Sequence, residues 1–110
     1  MLGFQGANHG SGLALTQFSH PAMSANGLGW PCLAYPKSAA EESQILEQAR
    51  ANAKDVAAIV VEPTHWQSGA VASDDFINQL GSIARDNNAA LIVDETNTGC
   101  GASGKGFFQY

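Results

Sequence analysis

The second half of the chain alternates between helical periodicity and unbroken apolar runs. Residues 56–61 (VAAIVV) and 89–93 (AALIV) are continuous apolar runs, which are typical of strands buried on both faces. Residues 38–54 begin with the capping-box pattern S-A-A-E and continue with good helix formers, which predicts a first helix. Residues 73–88 begin with Ser and two Asp and then carry apolar side chains at helical spacing, which predicts a second helix.

These elements follow one another as helix, strand, helix and strand, and the last three predict a βαβ unit. Parallel strands joined by a covering helix belong to the α/β fold class, in which ligands bind at the carboxyl ends of the strands. Glu62 and Asp94 directly follow the two predicted strands and are therefore candidates for a site at that edge. Residues 1–37 are rich in Gly, Ser, Asn and Pro, so we expect a glycine-rich, mostly irregular segment there and an α/β portion over residues 38–110.

Composition narrows the kind of partner. The chain has 110 residues, of which 45% are apolar and 14% charged, and its formal net charge is −5 with no run of basic residues. This balance argues against binding to nucleic acid or to an anionic membrane surface, and it favours a small molecule or another protein. No apolar run reaches the roughly 20 residues that span a bilayer, so we expect a chain that is not transmembrane.

The cysteines and histidines predict no metal site. Cys32 and Cys100 are too few and too far apart for a disulfide framework or a clustered metal site. The histidines share no ligand spacing; they are His9, His20 and His65.

The glycine-rich end of the sequence resembles two nucleotide-binding motifs without meeting their requirements. Gly99, Gly101 and Gly104 fit the spacing G-x-G-x-x-G, but five residues separate the first of them from the preceding apolar run. In a dinucleotide-binding loop the first glycine follows its strand directly, and a helix follows the loop. As a P-loop the segment fails because Gly106 stands where a Ser or Thr would bind magnesium. We therefore predict a turn at these glycines rather than a phosphate-binding loop.

Asp94 is the stronger candidate for chemistry. A carboxylate at the end of a buried parallel strand loses its hydration unless a cation or a hydrogen-bond donor meets it. One cation that fits is the protonated pyridine nitrogen of pyridoxal phosphate, because an Asp paired with that nitrogen keeps the ring an electron sink for carbanions. A carboxylate that only caps a turn is the alternative interpretation at this position.

Several motifs, in order along the chain, resemble the class III pyridoxal-phosphate-dependent aminotransferases, and most closely the 4-aminobutyrate aminotransferases among them. Residues 60–63 (V-V-E-P) resemble the family's V-E-P, and residues 72–76 (A-S-D-D-F) resemble its A-S-D-D-F-F. Residues 91–95 (L-I-V-D-E), followed by T-G at 98–99, resemble its V-D-E-V-Q-T-G. Residues 4–7 (F-Q-G-A) resemble its F-H-G-R. The resemblance covers nearly the whole chain. It implies a βαβ fragment of the large domain of a fold-type-I pyridoxal-phosphate-dependent transferase.

The resemblance also implies roles for individual residues. Asp94 would pair with the pyridine nitrogen of the cofactor, and Glu62 would lie near the substrate end of its ring. Asn97 stands in place of a glutamine that approaches the phenolic oxygen of the cofactor, and Gln5 in place of a histidine that stacks on the ring. Ala7 replaces an arginine that would bind the substrate carboxylate, and an alanine cannot form that charged contact.

The family's Schiff-base lysine is expected beyond the last residue of this chain. Lys105 belongs to the glycine-rich turn by the same resemblance, so we expect no catalytic residue in residues 1–110. We also expect other polypeptide to complete the fold, because one helix cannot cover two strands that are apolar on both faces.

Two functional hypotheses follow from these residues. In the first, the chain is a fragment or a degenerate relative of an aminotransferase that transfers the amino group of 4-aminobutyrate to a 2-oxo acid, and it is inactive in isolation. In the second, it is a non-catalytic structural or assembly subunit of a larger mitochondrial complex. Glu62 and Asp94 favour the first hypothesis, whereas Gln5 and Ala7 favour the second. By analogy with the eukaryotic members of the family we expect a mitochondrial location, with the cytoplasm as the alternative.

Overall fold

The computed structural model describes residues 1–20 and 28–110, and seven helices and strands lie within them. They are β1 (Gly3–Phe4), α1 (Thr16–Ser19), β2 (Cys32–Leu33), α2 (Ala39–Asn52), β3 (Ala58–Val61), α3 (Asp74–Asp86) and β4 (Ala90–Val93). The two long helices and the last two strands lie within the predicted ranges, which confirms the α/β fold class.

β3, α3 and β4 form the predicted βαβ unit. β3 and β4 are parallel neighbours in a register that pairs Ala58 with Ala90 and Val61 with Val93, and α3 connects them. β3 is buried along its whole length, whereas β4 alternates between exposed and partly buried residues. This difference arises because the smaller apolar cluster around Phe18 covers Val60 of β3 but, among the described residues, does not include Ile92 of β4, which remains 44% exposed. β4 is also paired on one side only within the described part of the chain.

The N-terminal segment contributes two strands that its glycine-rich sequence does not predict. β1 and β2 are parallel to each other. The Leu2 amide donates to the Ala58 carbonyl (2.9 Å), and the Leu2 carbonyl accepts from the Val60 amide (2.9 Å). These bonds join the two strand pairs, so that four parallel strands lie side by side in the order β2, β1, β3, β4.

Both long helices begin at the predicted serine caps. The Ser38 side chain accepts from the Glu41 amide (3.3 Å) at the start of α2, and the Ser73 side chain accepts from the Phe76 amide (3.0 Å) at the start of α3. Glu42 of α2 accepts from both the amide (2.8 Å) and the hydroxyl (2.7 Å) of Ser73. The start of α3 is therefore held by α2.

The hydrophobic core lies between the sheet and the two long helices. Ile59 and Val61 of β3 face this core together with Phe76 of α3, and all three side chains are fully buried. Val60 faces the opposite side of the sheet, where Phe18 of α1 belongs to a smaller cluster. The side of the sheet away from the long helices is therefore only partly covered, and part of it borders the cleft of the candidate site.

Candidate functional site

Two acids lie side by side where β3 and β4 end. Because Val61 pairs with Val93 in the parallel register, Glu62 and Asp94 follow neighbouring strands at the same edge of the sheet. The Asp94 amide donates to the Val61 carbonyl (2.8 Å), which extends the pairing by one bond beyond β4. This is the carboxyl edge at which α/β folds bind ligands.

The loop after β1 contacts both acids through consecutive residues. The Asn8 amide donates to Glu62 Oε1 at 3.4 Å, and His9 Nδ1 lies 2.8 Å from Asp94 Oδ2. An ionised carboxylate can only accept, so His9 Nδ1 is the donor in the second contact. The loop is therefore tied to the ends of both strands.

The Asp94 carboxylate has a donor on each oxygen. Oδ1 accepts from the amide (3.0 Å) and the hydroxyl (2.5 Å) of Thr96, and Oδ2 accepts from His9. Partial burial opposes ionisation of Asp94, but the hydrogen bonds from Thr96 and His9 outweigh it, and the pKa of the Asp94 carboxyl lies below its ordinary value. Asp94 is therefore ionised. A ligand can reach its carboxylate, because 17% of the side-chain surface remains exposed.

The Glu62 carboxylate is enclosed by the turn that follows β3. Glu62 is only 1% exposed, and its Oε2 accepts from the Trp66 amide at 3.0 Å. The Tyr35 hydroxyl donates to the Glu62 carbonyl (2.7 Å), and the Tyr35 ring stacks on His65 with ring centroids 4.4 Å apart. Glu62 therefore joins the turn after β3 to the loop after β1.

A cleft of about 710 Å³ opens beside β4. Its polar lining includes His9, Asp94 and Thr96, and its apolar lining includes Val60 and Ile92. Within the described part of the chain, no lysine or arginine lines it. The cleft can therefore meet a cationic group through Asp94 and a flat apolar group through the face of the sheet.

Of the residues that the family resemblance implicates, Asp94 is the one that lines this cleft within residues 1–20 and 28–110. Gln5 is exposed, and Asn97 is exposed on the turn after β4. Glu62 is linked to Asp94 through the loop after β1 rather than through the cleft. Ala7 is buried in the smaller apolar cluster.

His9 is the site residue that the sequence analysis missed. A search for metal-ligand spacing could not find it, because its partner is a single carboxylate 85 positions further along the chain. The usable signal is that the family motif expected around Gln5 contains a histidine and that this chain has a histidine four positions later in the same loop.

The glycine-rich segment forms a turn, as predicted. Gly101 and Gly104 have positive φ angles of 86° and 76°, which glycine adopts without strain. The Lys105 ammonium pairs with Asp74 at the start of α3, and the Tyr110 hydroxyl donates to the same carboxylate at 2.5 Å. Burial and the Asp74 carboxylate raise the pKa of Tyr110 to about 12. These contacts attach the C-terminal segment to α3.

Comparison with known proteins identifies the family. The class III aminotransferase family matches residues 4–109. The chain is 32% identical over 128 residues to mitochondrial 4-aminobutyrate aminotransferase of Homo sapiens, which covers 96% of this chain and 26% of that protein. It is 32% identical over 108 residues to ornithine aminotransferase of Macrococcus caseolyticus, which covers 97% of this chain and 27% of that protein. A solved structure of a mutant of M. tuberculosis Rv3290c matches with a TM-score of 0.80 and 31% identity, over 97% of this chain and 29% of that chain.

The chain belongs to the class III aminotransferase family, which is pyridoxal-phosphate-dependent. It spans about a quarter of the length of the curated relatives it matches. The likeness to this solved structure, together with the family match, also confirms the expected fragment of a fold-type-I large domain. Within residues 1–20 and 28–110, no helix is long and apolar enough to cross a membrane.

Proposed function

We propose that this chain supplies the wall of an aminotransferase active site that binds the pyridine ring of pyridoxal phosphate. The observation that carries the proposal is the ionised, partly exposed Asp94 in a cleft of about 710 Å³ at the carboxyl ends of parallel strands. Asp94 would meet the protonated ring nitrogen, and the apolar surface at Val60 and Ile92 suits a flat ring. When bound, the cofactor supplies the electron sink for a carbanion at the substrate carbon.

The proposal rests on Asp94 more than on the other positions that the family resemblance implicates. Gln5 and Asn97 would contact the cofactor only after movement of exposed side chains, because neither lines the cleft. Glu62 has a backbone amide on each carboxylate oxygen, so its proposed contribution on the substrate side is to hold the loop after β1 in place.

We propose that the amino group passes from 4-aminobutyrate to a 2-oxo acid. The support is that several of the relatives matched along most of this chain are 4-aminobutyrate aminotransferases. Ala7 is buried where the family has an arginine, and it cannot bind the substrate carboxylate. That cation would therefore come from another part of the enzyme.

The open edge of β4 is where other polypeptide would join this chain. An unpaired strand edge offers free amides and carbonyls, and Ile92 and Phe108 expose apolar surface beside it. The isolated chain would then be inactive, and the completed assembly would carry the activity. Because the 4-aminobutyrate aminotransferases matched from Homo sapiens and Sus scrofa are mitochondrial, we propose a mitochondrial location, with the cytoplasm as the alternative.

Cofactor binding tests the proposal. The full chain is purified with the polypeptide that accompanies it, and pyridoxal phosphate is titrated while its absorbance is followed. Asp94→Asn removes the charge at constant shape and should weaken binding by about tenfold or more, because a hydrogen bond between charged groups is lost. Asp75→Asn removes an equal charge from an exposed position on α3 and should leave binding unchanged. Equal binding by the Asp94 variant and the unmodified chain would refute the proposal.

Amino transfer tests the substrate assignment separately. The same assembly is incubated with 4-aminobutyrate and a 2-oxo acid, and formation of the new amino acid is measured. Activity that the Asp94→Asn variant lacks would support the assignment. An assembly that binds the cofactor but transfers amino groups only from other donors would contradict it.

A non-catalytic assembly subunit is the second candidate function. It is favoured by the burial of Ala7 and the exposure of Gln5, at the two positions where the family has an arginine and a histidine. A stable complex that contains this chain, and whose cofactor affinity does not change in the Asp94→Asn variant, would support this second function over the first.

A further inference from the structure

We propose that Ser68 and His65 are a nucleophile and its general base, and that Ser68 accepts an acyl group from activated oxygen esters. Both residues lie in the turn after β3, and neither lines the cleft beside β4. The inference goes beyond the proposed function and does not depend on it, because no step of this acyl transfer uses the cofactor or Asp94.

The first support is the hydrogen bonding of the His65 ring, which determines its tautomer. Nε2 lies 2.9 Å from the Gln5 carbonyl oxygen, and Nδ1 lies 2.7 Å from Ser68 Oγ. A carbonyl oxygen can only accept, so Nε2 carries the ring proton and donates to Gln5. Nδ1 of the neutral ring is then an acceptor, and the Ser68 hydroxyl donates to it. The free lone pair of the histidine therefore faces the serine, as activation of a nucleophile requires.

The second support is the way in which the protein holds this base. His65 is only 4% exposed, and its ring stacks on the Tyr35 ring with centroids 4.4 Å and planes 14° apart. The stack restricts tilting of the imidazole, and the bond from Nε2 to Gln5 restricts its rotation within the ring plane. The turn therefore has a nucleophile, a base and a group that orients the base, with a backbone carbonyl where other activated serines use a carboxylate.

The third support is the backbone that presents Ser68. The Gly69 amide donates to the His65 carbonyl (2.8 Å), and the His65 amide donates to the Ala70 carbonyl (2.8 Å). Gly69 has a φ of +70°, which glycine adopts without strain. The Ala70 amide also donates to Ser68 Oγ at 3.3 Å. The nucleophile is therefore held beside its base by a turn that is closed through its own hydrogen bonds.

The surroundings of Ser68 indicate the class of substrate. Ser68 is exposed, so an ester can reach its hydroxyl. Trp66, two residues earlier in the same turn, is 59% exposed and offers an aromatic surface on which the ring of an aryl ester can pack. The amides of Gln67 and Ser68 donate to no group within residues 1–20 and 28–110, so they are available to the charge that develops on the ester oxygen. An aryl ester of a short carboxylic acid fits these features.

The reaction is an acyl transfer in which His65 receives a proton and returns it. Ser68 Oγ forms a bond to the carbonyl carbon of the ester while its hydroxyl proton passes to His65 Nδ1. The bond between that carbon and the phenolic oxygen then breaks, and Nδ1 returns the proton to the departing oxygen. The products are an ester on Ser68 and a free phenol, and His65 is neutral again. Water repeats the same steps on the acylated serine and releases the carboxylic acid.

The first measurement is the reaction of the full chain, purified with the polypeptide that accompanies it, with p-nitrophenyl acetate. Release of the phenol is followed by absorbance, and mass spectrometry should locate the acetyl group on Ser68. Ser68→Ala and His65→Asn should each slow this acetylation about a hundredfold, because the asparagine still accepts a hydrogen bond but cannot take the proton. Ser43→Ala, which removes an exposed hydroxyl that donates to the Ala39 carbonyl on α2, should change nothing. Acetylation that is confined to lysines, or that is equally fast in Ser68→Ala, would overturn the proposal.

The second measurement decides the role of His65 even if His65→Asn does not fold, which circular dichroism shows. Ser68→Cys places a thiol beside the same base, and its alkylation by iodoacetamide is compared with that of the exposed Cys100 in the same molecule. The introduced thiol should react about tenfold faster at neutral pH, because a base that takes its proton increases the fraction of thiolate. A rate equal to or below that of Cys100 would show that His65 does not activate a nucleophile at this position.

Discussion

The Tyr35 hydroxyl fixes the turn that carries Glu62, and Tyr35→Phe measures how much this contact stabilises the protein. The hydroxyl donates to the Glu62 carbonyl at 2.7 Å and approaches the Pro63 carbonyl at 3.2 Å. The Pro63 carbonyl also accepts from the Ala72 amide at 3.0 Å. The substitution therefore deprives the Glu62 carbonyl of its donor while leaving the Pro63 carbonyl with one.

The expected loss of folding stability follows from the burial of Tyr35, whose hydroxyl is the donor to the Glu62 carbonyl. Tyr35 is 5% exposed, so water cannot easily replace the hydroxyl. A buried acceptor left unpaired costs about 1–3 kcal/mol, and we expect the free energy of unfolding to fall by about 2 kcal/mol. With a urea dependence of about 1.5 kcal/mol per molar, which is typical of a small domain, the unfolding midpoint should fall by about 1 M.

Tyr110→Phe is the matched control, because it deletes the only other tyrosine hydroxyl of the chain. Tyr110 is 39% exposed and donates to the exposed Asp74, so its loss should be clearly smaller. Urea unfolding is followed by tryptophan fluorescence and by circular dichroism, and coincident curves establish a two-state transition. Equal midpoints for Tyr35→Phe and Tyr110→Phe would refute the reasoning, because they would show that the buried carbonyl does not depend on Tyr35.

Three further predictions use the same measurements. Leu2→Ala should lower the free energy of unfolding by about 2–5 kcal/mol, because Leu2 is fully buried; an unchanged value would mean that the segment around β1 does not pack on β3. Ser73→Ala should cost about 1 kcal/mol or more, because it removes both the cap on the Phe76 amide and the hydroxyl's hydrogen bond to Glu42. Ser82→Ala, exposed in the middle of α3, should cost less, and equal losses would contradict a stabilising role of Ser73. The pKa of Asp94 is lower in the folded state than in the unfolded state, so its stabilising contribution is present above the unfolded value and is lost as the pH falls through the folded value. Asp94→Asn should flatten this acid-dependent loss, and an acid transition identical to that of the unmodified chain would exclude the contribution.

The parts of the fold that local chemistry specifies could be predicted from the sequence. The Ser73 cap and the apolar run of β3 each depend on a few neighbouring residues, and both are present in the structure. The pairing of Leu2 with Ile59 could not be predicted, because a two-residue strand is too short for a periodic pattern and its partner lies far along the chain. The same reason hid the contact between His9 and Asp94. Sequence placed Asp94 at the end of its strand, but only the path of the loop after β1 brings a donor to it.

The loop after β1 is bound to both strand-end acids by adjacent residues, and this makes its length more constrained than its composition. Asn8 reaches Glu62 through its backbone amide, which any residue except proline provides, and His9 reaches Asp94 through its ring. An extended chain advances about 3.3 Å per residue, so an insertion or deletion before Asn8 would shift both groups by more than a hydrogen bond tolerates. A homologous chain with a longer or shorter loop would have to recruit a different donor for its strand-end aspartate.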